Sequence, residues 1–93
     1  MNYIQEIQTE LAKHIKVGNR LLSYYSLLVI TLGEETTLAD IHDAWAIEKN
    51  INMPEHRSII LFEKLEPRVQ ELDRNYMEAV HKTAKILKDR GVI

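Results

Sequence analysis

The chain contains no cysteine among its 93 residues. This absence excludes disulfide bonds, zinc sites with thiolate ligands and catalysis by a cysteine nucleophile. The absence of cysteine also suits a reducing compartment. The N-terminal residues mix charged and apolar side chains, unlike those of a secretory signal peptide. We therefore expect a cytoplasmic protein.

Glycine and proline are also scarce, with three and two residues. Glycines so few and so far apart cannot form a glycine-rich phosphate-binding loop, and the chain has neither an internal repeat nor a flexible linker. The longest strongly apolar stretch, residues 21–32, is far shorter than the roughly 20 residues that a membrane-spanning helix needs. The sequence thus predicts a single domain, residues 1–93, and no membrane partner.

Neither sign of charge is in clear excess. Twelve Lys and Arg residues stand against 14 Asp and Glu residues, which gives a formal net charge of −2. A nucleic-acid-binding domain of this size usually shows a basic excess that attracts the phosphate backbone. We therefore expect no nucleic-acid partner.

Apolar residues recur at helical spacing in four parts of the chain. The patterns predict a mainly α fold, a compact domain of four principal helices over residues 2–16, 21–32, 38–49 and 74–89. The first two helices would form an N-terminal pair within residues 1–35. We expect the second helix to be buried on several sides, because nine of its twelve residues are apolar.

Turn and capping residues predict where these helices end. Gly33 and Gly91 are placed to end the second and the last helix. Thr37, followed three residues later by Asp40, resembles a capping box at the start of the third helix. Asp73 is a candidate N-cap for the last helix.

The region between the third and the last helix is expected to be less regular. A short irregular or extended segment is predicted near residues 56–62, and its apolar run from Ile59 to Phe62 must be buried. Pro67 suits the first turn of a short helix that ends at about Leu72, because a proline loses no hydrogen bond there.

The positions of the histidines and serines in the sequence predict neither a catalytic site nor a metal site. Glu78 and His81 have the Glu-x-x-His spacing of di-iron helix bundles, but no second pair of this kind exists, so we expect an exposed i, i+3 pair. His14 is expected to lie half-buried at the edge of the first helix. The serines lack the sequence context of a nucleophile. We therefore predict a protein that is not an enzyme, with no catalytic residue, metal or cofactor.

Three aromatic residues are candidates for a ligand site. Tyr24 and Tyr25 lie in the apolar second helix, where each either packs in the core or lines a pocket or a dimer seam. In the third helix, Ile41 and Trp45 share the predicted core face, with His42 at its margin. Trp45 is either a core anchor alone, or it stacks a planar, partly polar ligand beside His42.

Residues 41–93 resemble the ryanodine receptor repeat (RyR) domain family. The family pattern pairs a histidine with a tryptophan three residues later, followed by a second histidine and an Asp-Arg step. The corresponding residues here are Ile41, His42, Trp45, His56, Ile59, Phe62, Leu65, Gln70, Asp73, Arg74 and Gly91. The segment HDAWA, residues 42–46, also resembles small uncharacterised proteins of phages and actinobacteria.

The resemblance implies a cytosolic module without catalytic activity. In the receptors such repeats occur in tandem and can bind adenine nucleotides, and prokaryotic members are associated with nucleotide signalling and phage defence. A single repeat of this kind could recover the pairing as a homodimer, and the apolar second helix is compatible with such a contact.

Two hypotheses for the function follow. The first is a small binding protein for a nucleotide or nucleotide-derived second messenger, such as a phage-encoded or defence-associated sensor or sequestering factor. Aromatic side chains would stack the base, histidines would contact its polar edges and arginines would bind phosphate. The proposed ligand-binding residues are Tyr24, Tyr25, His42, Trp45, His56, Arg57 and Arg74. The second is a protein-interaction or structural module without a small-molecule ligand, acting as a homodimer or by docking a partner.

Overall fold

Helices account for most of residues 1–93 in the computed structural model, and no strand is present. The four principal helices are α1 (Tyr3–Leu11), α2 (Asn19–Thr31), α3 (Leu38–Asn52) and α5 (Arg74–Asp89), and the single-turn helix α4 (Pro67–Gln70) precedes the last of them. Short 3-10 turns cover Gly33–Glu35, Phe62–Lys64 and Glu71–Asp73. The predicted mainly α fold with four principal helices is confirmed.

The helix ends predicted from Gly33, Thr37, Pro67 and Gly91 are also confirmed. Thr37 Oγ1 accepts a hydrogen bond from the Asp40 backbone N–H at 3.2 Å, and the Asp40 carboxylate accepts one from the Thr37 backbone N–H at 2.8 Å. Gly33 and Gly91 have φ angles of 56° and 75°, a left-handed conformation that glycine adopts without strain. Pro67 begins α4.

Two helix boundaries differ from the predictions by three residues or more. α1 ends at Leu11 rather than at residue 16, and Ile15 packs against the core from the turn that follows. An apolar residue at helical spacing is therefore partly buried here without belonging to the helix. α3 continues to Asn52, and Pro54 then prevents its extension because proline disfavours helical backbone in the residue before it.

One hydrophobic core joins the four principal helices, with α2 packed against α1, α3 and α5. Its buried apolar residues are Ile7, Leu11, Tyr25, Val29, Ile41, Ala44, Ala79, Val80, Ala84 and Leu87. The predicted burial of the run from Ile59 to Phe62 is wrong for Ile60 and Leu61, which are exposed. α2 is also less buried than predicted, because Leu27 and Ile30 are exposed. A helix with three packed neighbours still has one open side. None of the helices, α2 included, has the length and apolar character that crossing a bilayer requires.

His81 connects α5 to the loop before α3. Its Nε2 lies 2.7 Å from the carbonyl oxygen of Thr36, a buried residue, and must carry a proton because a carbonyl oxygen only accepts. The prediction that Glu78 and His81 form an exposed pair is therefore wrong for His81, which is half-buried. Glu78 is exposed, as predicted. The contact joins residues 45 positions apart, which helical spacing cannot predict.

Glu10 is a buried carboxylate that connects the end of α1 to the end of α5. It accepts hydrogen bonds from Lys13 Nζ at 3.2 Å, His14 Nε2 at 3.0 Å and Arg90 Nη2 at 2.9 Å. Burial by itself raises the pKa of Glu10, but the hydrogen bonds from Lys13 and His14, the charge of Lys13 and the bond from Arg90 outweigh it and lower the pKa below its ordinary value. His14 is half-buried, as predicted.

The ionised form of Glu10 is expected to stabilise the fold. Because the pKa is lowered in the folded state, this stabilisation is present above the unfolded-state pKa and is lost as the pH falls through the folded-state pKa. Glu10→Gln should therefore lower the free energy of unfolding at pH 7 by about 2 kcal/mol, since hydrogen bonds to charged groups contribute about 1.5–3 kcal/mol. Urea denaturation followed by circular dichroism measures this loss.

Glu34→Gln is the matched control, because it removes an exposed carboxylate. We expect it to change the free energy of unfolding by less than about 0.5 kcal/mol. As the pH is lowered from 7 to about 3 and the Glu10 carboxylate begins to take up a proton, the effect of Glu10→Gln should shrink. An equal loss at both pH values would contradict the ionic origin of the stabilisation.

Candidate functional site

A cavity of about 220 Å³ opens between α3, the irregular segment that follows it and the turn around α4. The side chains around it are those of His42, Trp45, His56, Ser58, Leu65, Val69, Leu72 and Asp73. Three of the seven ligand-binding residues predicted from the sequence are thus brought together. A larger cleft of about 660 Å³ at the end of α2 is lined by no aromatic or histidine side chain, so it offers fewer groups for recognising a ligand.

His42 holds one wall of this cavity in place. Only 4% of the residue is exposed, and its Nε2 lies 2.7 Å from the carbonyl oxygen of Ile60. Because the carbonyl oxygen only accepts, Nε2 is the protonated donor. The ring of Phe62 lies close by, with 6.2 Å between the ring centroids. The hydrogen bond therefore attaches the segment that carries His56 to helix α3.

Trp45 borders the cavity and lies outside the hydrophobic core. The imidazole of His42 is nearly parallel to its indole, with centroids 5.6 Å apart and an angle of 25° between the rings. His56 meets the indole at 83°, with 5.2 Å between the centroids. Trp45 itself is half-buried.

The predicted arrangement of His42 and Trp45 is reversed. We expected Trp45 on the core face and His42 at its margin, whereas His42 is buried and Trp45 is at the margin. The carbonyl of Ile60 covers α3 on this side and provides an acceptor for the imidazole. The larger indole extends into the cavity instead. Ile41 is fully buried in the core, as predicted.

His56 presents a hydrogen-bond donor at the cavity. Its Nδ1 accepts a hydrogen bond from the backbone N–H of Ser58 at 3.0 Å. In a neutral imidazole the proton then lies on Nε2, which remains able to donate to a ligand. Arg57, the next residue, is exposed and does not line the cavity.

The remaining predicted ligand-binding residues lie away from the cavity. Arg74 is exposed and forms a bidentate ion pair with Glu71, with N–O distances of 2.6 and 3.1 Å, so its guanidinium braces the start of α5. Tyr25 packs in the core, with its ring centroid 5.7 Å from that of Tyr76. Tyr24 lines a separate groove between α2 and α3.

Asp73 is a candidate that the sequence reasoning assigned to another role. It occupies the predicted N-cap position of α5, but its side chain makes no capping hydrogen bond because a 3-10 turn runs directly into the helix. The carboxylate borders the cavity instead. There, burial raises the pKa of Asp73, and the nearby His42 opposes this rise only in part.

Burial, and to a lesser extent the charge of Asp73, also raises the pKa of Tyr25, whose buried hydroxyl has no hydrogen-bond partner.

These groups suit the noncovalent binding of a flat, polar molecule. Trp45 offers aromatic surface, His56 a donor and Asp73 an acceptor, and the leucine and valine side chains around them add apolar surface. No group of three or more His, Asp or Glu side chains is arranged to hold a metal ion. The cavity therefore offers groups for stacking and hydrogen bonding.

We expect the Asp73 carboxylate to destabilise the unliganded fold. Because its pKa is raised in the folded state, stability increases as the pH falls from neutral through that pKa. Asp73→Asn should therefore raise Tm at pH 7 by about 2–4 °C, with a smaller difference at about pH 4. Differential scanning calorimetry measures both values.

Asp43→Asn is the control, because Asp43 is exposed on α3. Its Tm should change by less than about 2 °C. If Asp73→Asn instead lowered Tm at pH 7, the carboxylate would have a stabilising partner in the fold, contrary to this account.

Comparison with known proteins corrects the resemblance to the RyR domain. The family model that matches the chain is described as Domain of unknown function (DUF7701) and covers residues 2–85, including both N-terminal helices. Comparisons with curated proteins and with solved structures give no match. The RyR assignment is therefore wrong, and the tandem pairing and phage-defence role that it implied are withdrawn with it.

The fold explains several residues on which that resemblance depended. Ile41 is buried in the core, and His42 binds the Ile60 carbonyl. The side-chain amide of Gln70 donates to the carbonyl of Phe62 at 2.9 Å. Such packing and hydrogen-bonding roles are common to many helical domains, so a pattern of scattered residues was a weak guide to ancestry. The chain belongs to the DUF7701 family.

Proposed function

We propose that this protein binds a nucleotide-type small molecule, with the base, rather than the phosphates, held in the cavity beside Trp45. The observation that carries the proposal is the pairing of a half-buried indole with the Asp73 carboxylate, which has no hydrogen-bond donor in the fold. A ligand with an aromatic ring and N–H donors on its edge complements both groups. The proposal is of a cytoplasmic binding protein without catalytic activity.

The size of the cavity supports entry of the base alone. Pockets that enclose a drug-sized ligand measure about 300–1,000 Å³. At about 220 Å³, this cavity is below that range, which suits a single ring system with the rest of the ligand outside. Leu72, one of the lining residues, is 71% exposed, so the cavity opens to solvent, into which a sugar and phosphate can extend.

The distribution of charge supports the same orientation. No Lys or Arg lines the cavity, and Asp73 would repel a phosphate placed inside it. Lys49 lies at the rim, with its Nζ 6.0 Å from the centroid of the Trp45 ring. We therefore assign contact with a phosphate to Lys49, and to Arg57 next to His56, rather than to Arg74, which is paired with Glu71.

The hydrogen-bonding groups favour a purine. Asp73 accepts, and His56 Nε2 donates when the imidazole is neutral. Adenine presents its amino group next to N7, and guanine presents N–H donors next to O6, so either base carries donors beside an acceptor. The half-buried Asp73 carboxylate loses contact with water when a ligand fills the cavity, so a ligand that donates an N–H to it is favoured over one without N–H groups.

Isothermal titration calorimetry against adenosine, guanosine, cytidine, their monophosphates and cyclic nucleotides tests the proposal. A purine nucleoside and its monophosphate should bind with dissociation constants within about tenfold of each other, because the base makes the main contacts. Trp45 is the only tryptophan, so its fluorescence should change on binding.

Variants locate the binding to the cavity. Trp45→Leu and Asp73→Asn should each weaken binding by at least about tenfold. Tyr3→Leu, which removes an exposed aromatic residue on α1, should leave it unchanged. No binding by any nucleoside or nucleotide at about 1 mM, or equally strong binding of pyrophosphate alone, would refute the proposal.

A further inference from the structure

Large apolar side chains are exposed together on the side of the molecule formed by α2, α3 and the irregular segment. Leu27 is 56% exposed, Ile47 61%, Ile60 45% and Leu61 60%. We call these four residues the Ile47 surface. Together they expose on the order of 400 Å² of apolar area, which is within the range of the largest patches on single-chain proteins, and such patches are often binding sites.

Two adjoining grooves make up this surface. One, of about 180 Å³, lies between α2 and α3 and is bordered by Leu27. The other, of about 590 Å³, lies between α3 and the irregular segment and is bordered by Ile60 and Leu61. Ile47 and Asp43 border both grooves, so they form a ridge between them.

The grooves are acidic as well as apolar. No Lys or Arg lines either of them. The carboxylate of Asp40 is engaged in the capping box with Thr37. Asp43, on the ridge, is exposed and takes part in none of the ion pairs of the fold. An uncompensated negative charge therefore lies between two apolar depressions.

We propose that the Ile47 surface docks an amphipathic helix of a partner protein, with apolar side chains in the two grooves and a Lys or Arg over Asp43. A helix carries side chains three, four and seven residues apart on one face, so it can fill two grooves across one ridge. The basic residue supplies the cation that Asp43 lacks, and electrostatic complementarity of this kind determines which partners bind.

A second copy of the chain fits the surface less well. A two-fold contact brings the same patch of both subunits together. Asp40 and Asp43 of each copy would then lie in one apolar interface with no cation between them, which costs free energy. The exposed apolar area of the Ile47 surface, on the order of 400 Å², also favours a helix. Each partner in a standard protein–protein interface buries about 800 Å², which is more than this surface offers. This surface is therefore assigned to a partner helix rather than to a homodimer.

Selection from a phage library of randomised helical peptides, panned against the full chain, tests this assignment. Enriched peptides should carry apolar residues at helical spacing with a Lys or Arg between them. A synthetic copy of an enriched peptide should bind with a micromolar dissociation constant in fluorescence anisotropy. Ile47→Ser and Asp43→Lys should each weaken its binding at least tenfold, and Asp43→Lys should improve binding of the peptide whose basic residues are replaced by Glu.

Two further variants serve as controls. Ile93→Ser removes a 40% exposed isoleucine outside both grooves and should leave peptide binding unchanged. Trp45→Leu should also leave it unchanged, so this proposal can fail or succeed independently of the ligand proposal.

Three results would overturn the assignment. The first is that panning against the wild-type chain enriches no peptide relative to panning against the Ile47→Ser variant. The second is enrichment of acidic peptides or of peptides without helical spacing. The third is light scattering that shows a dimer which Ile47→Ser dissociates, because a second copy would then occupy the surface.

Discussion

The hydrogen bond from His42 Nε2 to the Ile60 carbonyl holds the longest connection of the fold against helix α3. Residues 53–61 contain neither helix nor strand, and apart from this bond their backbone makes only short-range hydrogen bonds. A buried imidazole needs a partner, and a segment of this kind needs an anchor. One contact meets both needs. The cavity on one side of the segment and the larger groove on the other both depend on it, since His42 borders both.

Glu10 and Asp73, two of the partly or fully buried carboxylates of the fold, differ in their hydrogen-bond partners. Glu10 receives hydrogen bonds from three side chains, which together lower its pKa despite burial. Asp73 receives none, and burial raises its pKa. A buried charge with full compensation is a structural element, whereas one without compensation reduces stability and marks a place where an outside group can bind. This contrast is the physical basis for the proposal that a ligand binds beside Asp73 and Trp45.

Local features of the fold were predictable from the sequence. Helical spacing located the four principal helices, and the Thr37–Asp40 box, Gly33, Gly91 and Pro67 located several of their ends. These signals succeed because they depend on residues within one or two turns of each other.

The site was less predictable, because its contacts join distant parts of the chain. His42 and Ile60 are 18 residues apart, and nothing in the helical pattern of α3 shows that a carbonyl covers His42. Spacing predicted that Trp45 lies on the core face, whereas the indole lies at the margin of the core and borders the cavity. Asp73 was assigned to a cap because its position in the sequence suited one, and only the 3-10 turn before α5 shows that its side chain is free.

The central claim is that His42 anchors residues 53–61 through a protonated Nε2. Long-range ¹H–¹⁵N NMR correlation of the histidine rings measures this directly. The account predicts that neutral His42 carries its proton on Nε2, that this proton exchanges slowly with water and that it shows a coupling across the hydrogen bond to the Ile60 carbonyl. A proton on Nδ1, or a ring whose protons exchange as fast as those of free histidine, would contradict it.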